Sequence, residues 1–391
     1  MSESLPTRPT PTGSVPVGAP RVMGLDGLRG VAALVVVITH CLQVDPVLAD
    51  AADGRIVEPD LLRAVLIYSP LHLLWAGMEA VLIFFVLSGY VLSRAAASRR
   101  FSWRSYYPSR LIRLYLPVWA SIALALLVAA VIPRQSWPDA SWFVNAHEPP
   151  TPESVVMNVV LLGPTDHLNV PLWSLVWEVW FSLLLPVYLL AARWTRGSLL
   201  RASGLVAALF VLMAVGSLAS SNALRYLPVF ALGVLLHTHE DVIATAFAKV
   251  GRTAPILAAS AIGVVSFWLL QPLVGPDHPI ALAARALQIV SAVAIVASVT
   301  HTTPGLRVFA SGPAQWLGRV SFSLYLTHAT VLIGVVTILG GVVPVWLTLL
   351  IVVPLSLLVA ECFYRAAERP SHVLAKVLQA RLTGSGPRDA R

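Results

Sequence analysis

The chain has 391 residues, of which 57% are hydrophobic and only 12% charged, and its mean hydropathy is +0.78. Soluble domains carry about 25% charged residues, so a water-facing globular protein is excluded, as is bulk disorder; two cysteines exclude a disulfide scaffold. The net charge of +8 does not point to nucleic acid, because the basic residues are scattered between apolar runs instead of gathering on one soluble face.

Residues 1–21 hold Pro6, Pro9, Pro11, Pro16 and Pro20 among Ser, Thr and Gly. They read as a disordered tail with no signal-peptide core. A membrane-spanning helix needs about 20 mostly apolar residues. Ten segments qualify: 24–46, 71–93, 111–132, 171–192, 200–219, 224–238, 254–273, 280–300, 317–338 and 344–364. The sixth is short. The apolar stretch 154–163 is too short to span and is read as re-entrant or interfacial. Alternate loops carry the basic residues. One set holds Arg8, Arg21, Arg94, Arg99, Arg100, Arg104, Arg110, Arg113, Arg193, Arg196, Arg201, Lys249, Arg252, Arg307, Arg319 and the basic C-terminal tail; the other holds only Arg55, Arg63, Arg134 and Arg225. Positive charge marks the cytoplasmic side. The expected fold is therefore all-α: a polytopic membrane protein with about ten transmembrane helices and both termini cytoplasmic. Its membrane domain covers 22–372, followed by a cytoplasmic tail at 373–391. The longest outer stretch, 133–170, is either a solvated loop or an outer lid and acceptor surface.

Charged groups inside spans cost about 2.5–3.5 kcal/mol on insertion scales and mark function by default. The first span carries Asp26, Arg29 and His40. Eleven residues bring a helix to within about 20° of three full turns, so Arg29 and His40 share a face about 16 Å apart. Asp26, three residues before Arg29, is in reach to pair with it. Glu79 and Ser88 lie in the second span, and Arg110 and Arg113 are spaced i, i+3 at the inner mouth of the third, suited to bind phosphates. The fourth span opens Trp173-Ser174-Leu-Val-Trp-Glu178, which places Glu178 about 10 Å into the outer half, at a depth like that of His40. A carboxylate there would orient the imidazole and stabilise its cation. In the ninth span Ser321, Tyr325 and His328 recur at helical spacing, either bonding neighbouring helices or touching substrate. The closing Glu368-Arg369-Pro370 reads as a structural helix exit. No metal-ligand spacing, P-loop or dinucleotide fingerprint occurs in the sequence.

Taken in order, these residues resemble the bacterial membrane-bound acyltransferase family 3, which includes O-antigen, peptidoglycan and antibiotic O-acyltransferases. The resemblance covers about 24–372. It rests on Arg29-x10-His40 after Leu-Asp-Gly-Leu, on Phe-Phe-Val-Leu-Ser-Gly-Tyr at 84–90, and on Arg110-x-x-Arg113. Trp-Ser-Leu-x-x-Glu at 173–178, Arg225-Tyr226, Ser-Phe-Ser-Leu-Tyr-Leu-x-His at 321–328 and Glu-Arg-Pro at 368–370 complete it. The resemblance implies transfer of a short acyl group, acetyl above all, from cytoplasmic acyl-CoA to a hydroxyl of a glycan or glycosylated metabolite at the plasma membrane. No metal and no nucleic acid are implied, and oligomeric state is left open. His40 would act as general base or as acyl relay, with Arg29 and Glu178 in the catalytic set and Arg110 and Arg113 on the CoA phosphates. Asp26, Glu79, Ser88, Trp173, Ser174, Arg225, Ser321, Tyr325 and His328 would hold substrate or support the site. A proton-coupled membrane transporter using Arg29, His40 and Glu178 as a relay is the alternative; inverted internal repeats, often found in transporters, are not evident.

Overall fold

A computed structural model describes residues 23–163, 165, 168–250, 263, 279–301 and 309–383. The tail at 1–21 and, apart from position 263, the span expected at 254–273 lie outside the described residues. Among the described residues, eight helices are long and apolar enough to cross a membrane, and a bent pair makes up to nine. This is an all-α, multi-pass membrane protein.

The long helices are α1 (Met23–Leu42), α4 (Gly77–Ala96), α5 (Trp103–Val131), α8 (Trp173–Thr195), α9 (Leu199–Leu218), α10 (Asn222–Thr238), α12 (Pro279–His301), α13 (Gly312–Ile338) and α14 (Val345–Phe363). Shorter ones are α2 (Pro46–Ala52), α3 (Leu61–Tyr68), α6 (Trp142–Asn145), α7 (Pro152–Val160), α11 (Glu240–Val250) and α15 (Arg369–Thr383). The short sixth span is α10, which turns by 75° into α11. The stretch read at 154–163 is α7, held along α5 by Tyr115 and Trp119, whose side chains donate to the carbonyls of Val160 and Val159.

α1 and α13 lie against each other at backbone distance. A Cβ on Gly27 would strike the Phe309 carbonyl, one on Gly30 would strike Leu317 and Gly318, and one on Gly318 would strike the Asp26 carbonyl. Small residues permit this approach where lipid supplies no hydrophobic drive between helices. Gly30 faces Gly318, and His40 meets His328; both pairs are 288 residues apart, so the two helices run parallel in fixed register. α4 and α10 close up in the same way at Gly89 and Gly233.

Two departures from the sequence reading reshape the site. The described part of 133–170 is no solvated loop, because it packs onto the bundle. Ser141 donates to the Gln43 carbonyl at 2.6 Å, Arg134 to the Leu168 carbonyl at 2.9 Å and Asn169 to the Leu326 carbonyl at 3.0 Å. These bonds give the re-entering backbone the partners that lipid cannot. At the other end, the chain does not stop being helical at Glu-Arg-Pro. A π-turn over Tyr364–Glu368, closed by the Arg369 N–H on the Tyr364 carbonyl, leads directly into α15. The wider turn absorbs Pro370, which has no N–H to give, and it buries Glu368 at 4% exposure.

Candidate active site

One end of α1 carries an ionic cluster. Asp26 and Arg29 pair at 3.6 Å, as their spacing requires. Arg29 also lies within electrostatic range of Arg110, Glu178 and Glu368, and Arg113 within range of Arg29, Arg110 and Glu368. Arg110, from α5, forms an ion pair with Glu178 of α8 and donates through Nε to Ser182. Ser88, from α4, donates to the same Glu178 oxygen at 2.9 Å. Glu368 accepts from the Ser323 hydroxyl at 2.5 Å and from the Ser323 N–H, and approaches His372 at 3.8 Å. Arg113 alone of the three arginines has no carboxylate partner among the described residues, and its side chain is exposed.

Glu178 therefore does not orient His40. α8 starts in the middle of the bundle, not at its surface. Its first turn is level with Tyr325, whose hydroxyl donates to the Pro171 carbonyl at 2.8 Å and stands 2.7 Å from the Ser174 hydroxyl. Tyr325 lies 13 residues into α13, about 20 Å from its start. Glu178 is four residues beyond Ser174, hence about 6 Å closer to the ionic end. The carboxylate lies about 10 Å nearer the ionic end than the imidazole, in electrostatic range of Arg29, because the re-entrant stretch carries the start of α8 inward.

The imidazole of His40 is held by other groups. Its Nδ1 is 2.8 Å from Nε2 of His328, with ring centroids 5.0 Å apart and planes 14° apart. His328 is 1% exposed, and its Nδ1 bonds the Leu324 carbonyl at 2.9 Å. Phe143 of α6 stacks on the other side of His40, centroids 4.7 Å apart. His40 itself keeps partial exposure.

The remaining residues of interest scatter. Glu79 accepts from Gln288 of α12 at 3.1 Å, and its second oxygen has no hydrogen-bond partner among the described residues. Trp173 packs against Tyr226 at 5.1 Å. Arg225, next to Tyr226, has an Nε without a hydrogen-bond partner among the described residues. Ser321 bonds the Gly318 carbonyl of its own helix and joins neither Tyr325 nor His328 in a shared contact. Sequence reasoning missed Glu368 and Phe143. A carboxylate closing an apolar run was the available signal for Glu368. Phe143 sits in the four-residue helix α6, too short to show a periodicity.

The site thus has two parts along α1: Arg29 at one end, met by Arg110 and Arg113 of α5, and about 16 Å away a hydrogen-bonded imidazole. Among the described residues no group of three or more His, Cys, Asp or Glu could hold a metal ion. The family model of the acyltransferase domain matches residues 23–365, nearly the whole chain. No curated protein and no solved structure matches. The chain belongs to acyltransferase family 3 and is a membrane acyltransferase.

Proposed function

We propose that this enzyme moves a short acyl group, acetyl in the first instance, from acyl-CoA to a hydroxyl of a glycan or glycosylated small molecule. The carrying observation is the row on α1: a cationic mouth and a partly accessible imidazole share one helix face, lined by the same partner helix. Arg113, exposed and in no salt bridge among the described residues, with Arg29 and Arg110 in electrostatic range, suits the phosphates of CoA. Donor and acceptor would enter from opposite ends. The distribution of basic loops favours an arginine end in the cytoplasm, with both termini there, and a His40 end toward the outside of a plasma membrane.

His40 serves as general base in this reading. The acceptor oxygen attacks the thioester carbonyl while its proton passes to the imidazole; the carbon–sulfur bond then breaks, and the thiolate leaves and takes that proton. The same lone pair would serve an acyl relay. The exporter alternative is not favoured, since the matching family transfers acyl groups.

The test is transfer of label from radioactive acetyl-CoA to glycan in membranes holding the wild type or His40→Ala. Transfer should fall by about 10²–10⁴-fold, the usual worth of a positioned acid–base group, with the amount of folded protein unchanged. Wild-type rates in His40→Ala would remove the proposal.

A further inference from the structure

We infer that His328 is a positioning residue that sets which nitrogen of His40 is basic, leaving Nε2 bare to receive the acceptor's proton and Nδ1 protonated. This rests on the reading of His40 as the base.

The chain of hydrogen bonds begins at the Leu324 carbonyl. A backbone carbonyl only accepts, so the 2.9 Å contact between Nδ1 of His328 and the Leu324 oxygen requires a proton on that nitrogen. In the neutral ring Nε2 of His328 is then an acceptor. It faces Nδ1 of His40 at 2.8 Å, and a hydrogen bond there requires that Nδ1 of His40 carry the hydrogen. The lone pair of His40 is thereby confined to Nε2. The opposite order would need a doubly protonated His328, buried at 1% exposure. Neither histidine has a carboxylate in ion-pair contact among the described residues, so that charge would be uncompensated.

The accessible side of the ring agrees. Nδ1 points at a buried neighbour, and Phe143 covers one face at 4.7 Å. Nε2 is the ring nitrogen with no hydrogen-bond partner among the described residues, and His40 keeps partial exposure. The register of α1 on α13 makes the contact rigid: Gly30 on Gly318 fixes it ten residues earlier, about 15 Å away.

The arrangement favours the reaction and not only the fold. When Nε2 takes the hydroxyl proton, His40 becomes a cation, and its bond from Nδ1–H to His328 becomes charge-assisted and stronger. A bond that strengthens only as the transition state forms raises kcat without tightening donor binding. His328 acts in the place where a carboxylate was expected, but as a neutral acceptor.

Two variants and one spectrum test this. His328→Leu removes the acceptor; His328→Gln retains an oxygen that accepts from Nδ1–H. In membranes given radioactive acetyl-CoA, His328→Leu should lower kcat by about 100-fold, with KM for acetyl-CoA within about twofold. His328→Gln should regain about tenfold of that loss. Equal losses in both variants, wild-type rates in both, or a loss confined to KM would each overturn the inference. Nitrogen-15 magnetic resonance of histidine-labelled wild type, with the His40 signals assigned by their loss in His40→Ala, reads the tautomer directly. Protonated Nδ1 and bare Nε2 are expected on His40, and a protonated Nε2 with bare Nδ1 would overturn the inference even if His328→Leu failed to fold. An inactive wild type showing the expected tautomer would instead sink the proposed function and leave the proton assignment standing.

Discussion

At one end of α1, Asp26 and Arg29 stand in a crowd of charges: Arg110 and Arg113 from α5, Glu178 from α8 and Glu368 from the π-turn. At the other end His40 meets one neutral imidazole and one phenyl ring. Both ends rest on the same helix, α13, and the same parallel register. Under the proposed function, the difference between them is one of chemistry matched to task. A polyanion is best received by cations that are partly wet and only partly neutralised. Transfer of a single proton is best managed where few charges compete and hydrogen bonds run in one direction. A single helix can host both because about 16 Å separates them, which is further than charges at a wet mouth act strongly.

If one register holds both ends, breaking it should break both. Gly30 lies between them, and a single Cβ there would press on the backbone of Gly318, which has no side chain to move aside. Gly30→Ala should abolish assembly of folded protein, seen as loss of the monodisperse peak in size-exclusion of detergent extracts. Gly204→Ala on α9, where a Cβ meets open space, should leave the protein intact or slightly more stable. Survival of Gly30→Ala with full activity would show that the two ends do not depend on one interface.

Glu178→Gln separates the ends. It leaves the Ser88 hydroxyl an acceptor but deprives Arg110 of its counter-charge. Orphaning one member of a buried pair costs about 3–5 kcal/mol, and the lower figure applies because Arg110 keeps 19% exposure. The melting temperature should fall, while the nitrogen-15 signature of His40 stays as in the wild type. A changed tautomer in Glu178→Gln would restore the pairing with His40 that the sequence suggested and the structure does not show.

That contrast also marks how far the sequence was legible. The row of Asp26, Arg29 and His40 is readable because one helix's period fixes it, with no knowledge of neighbours. The long apolar runs are readable because the bilayer sets their length. The neighbour of Glu178 is not, because its depth depends on where α8 begins, and that is set by hydrogen bonds from Asn169 and Tyr325 across the fold. Phe143 reaches His40 from the four-residue helix α6, and Glu368 turns inward only through a π-turn forced next to Pro370. The charges were visible one by one; their partners belong to the tertiary structure.

Arg113 offers the mildest and most specific test of the ionic end. Arg29 pairs with Asp26 and Arg110 with Glu178, so replacing either disturbs the protein as well as any ligand. Arg113 has no such tie and is exposed. Arg113→Gln should therefore leave stability almost unchanged and raise KM for acetyl-CoA about tenfold, or about 1.4 kcal/mol, with kcat within about twofold. The gap between wild type and variant should narrow as salt is raised, because an exposed guanidinium acting on phosphate is screened. With S-acetylpantetheine, which lacks the nucleotide phosphates, the two proteins should be equally slow at low donor concentration. A variant that instead lost kcat with KM unchanged would move Arg113 from the donor mouth into the chemistry, and the division of labour along α1 would have to be redrawn.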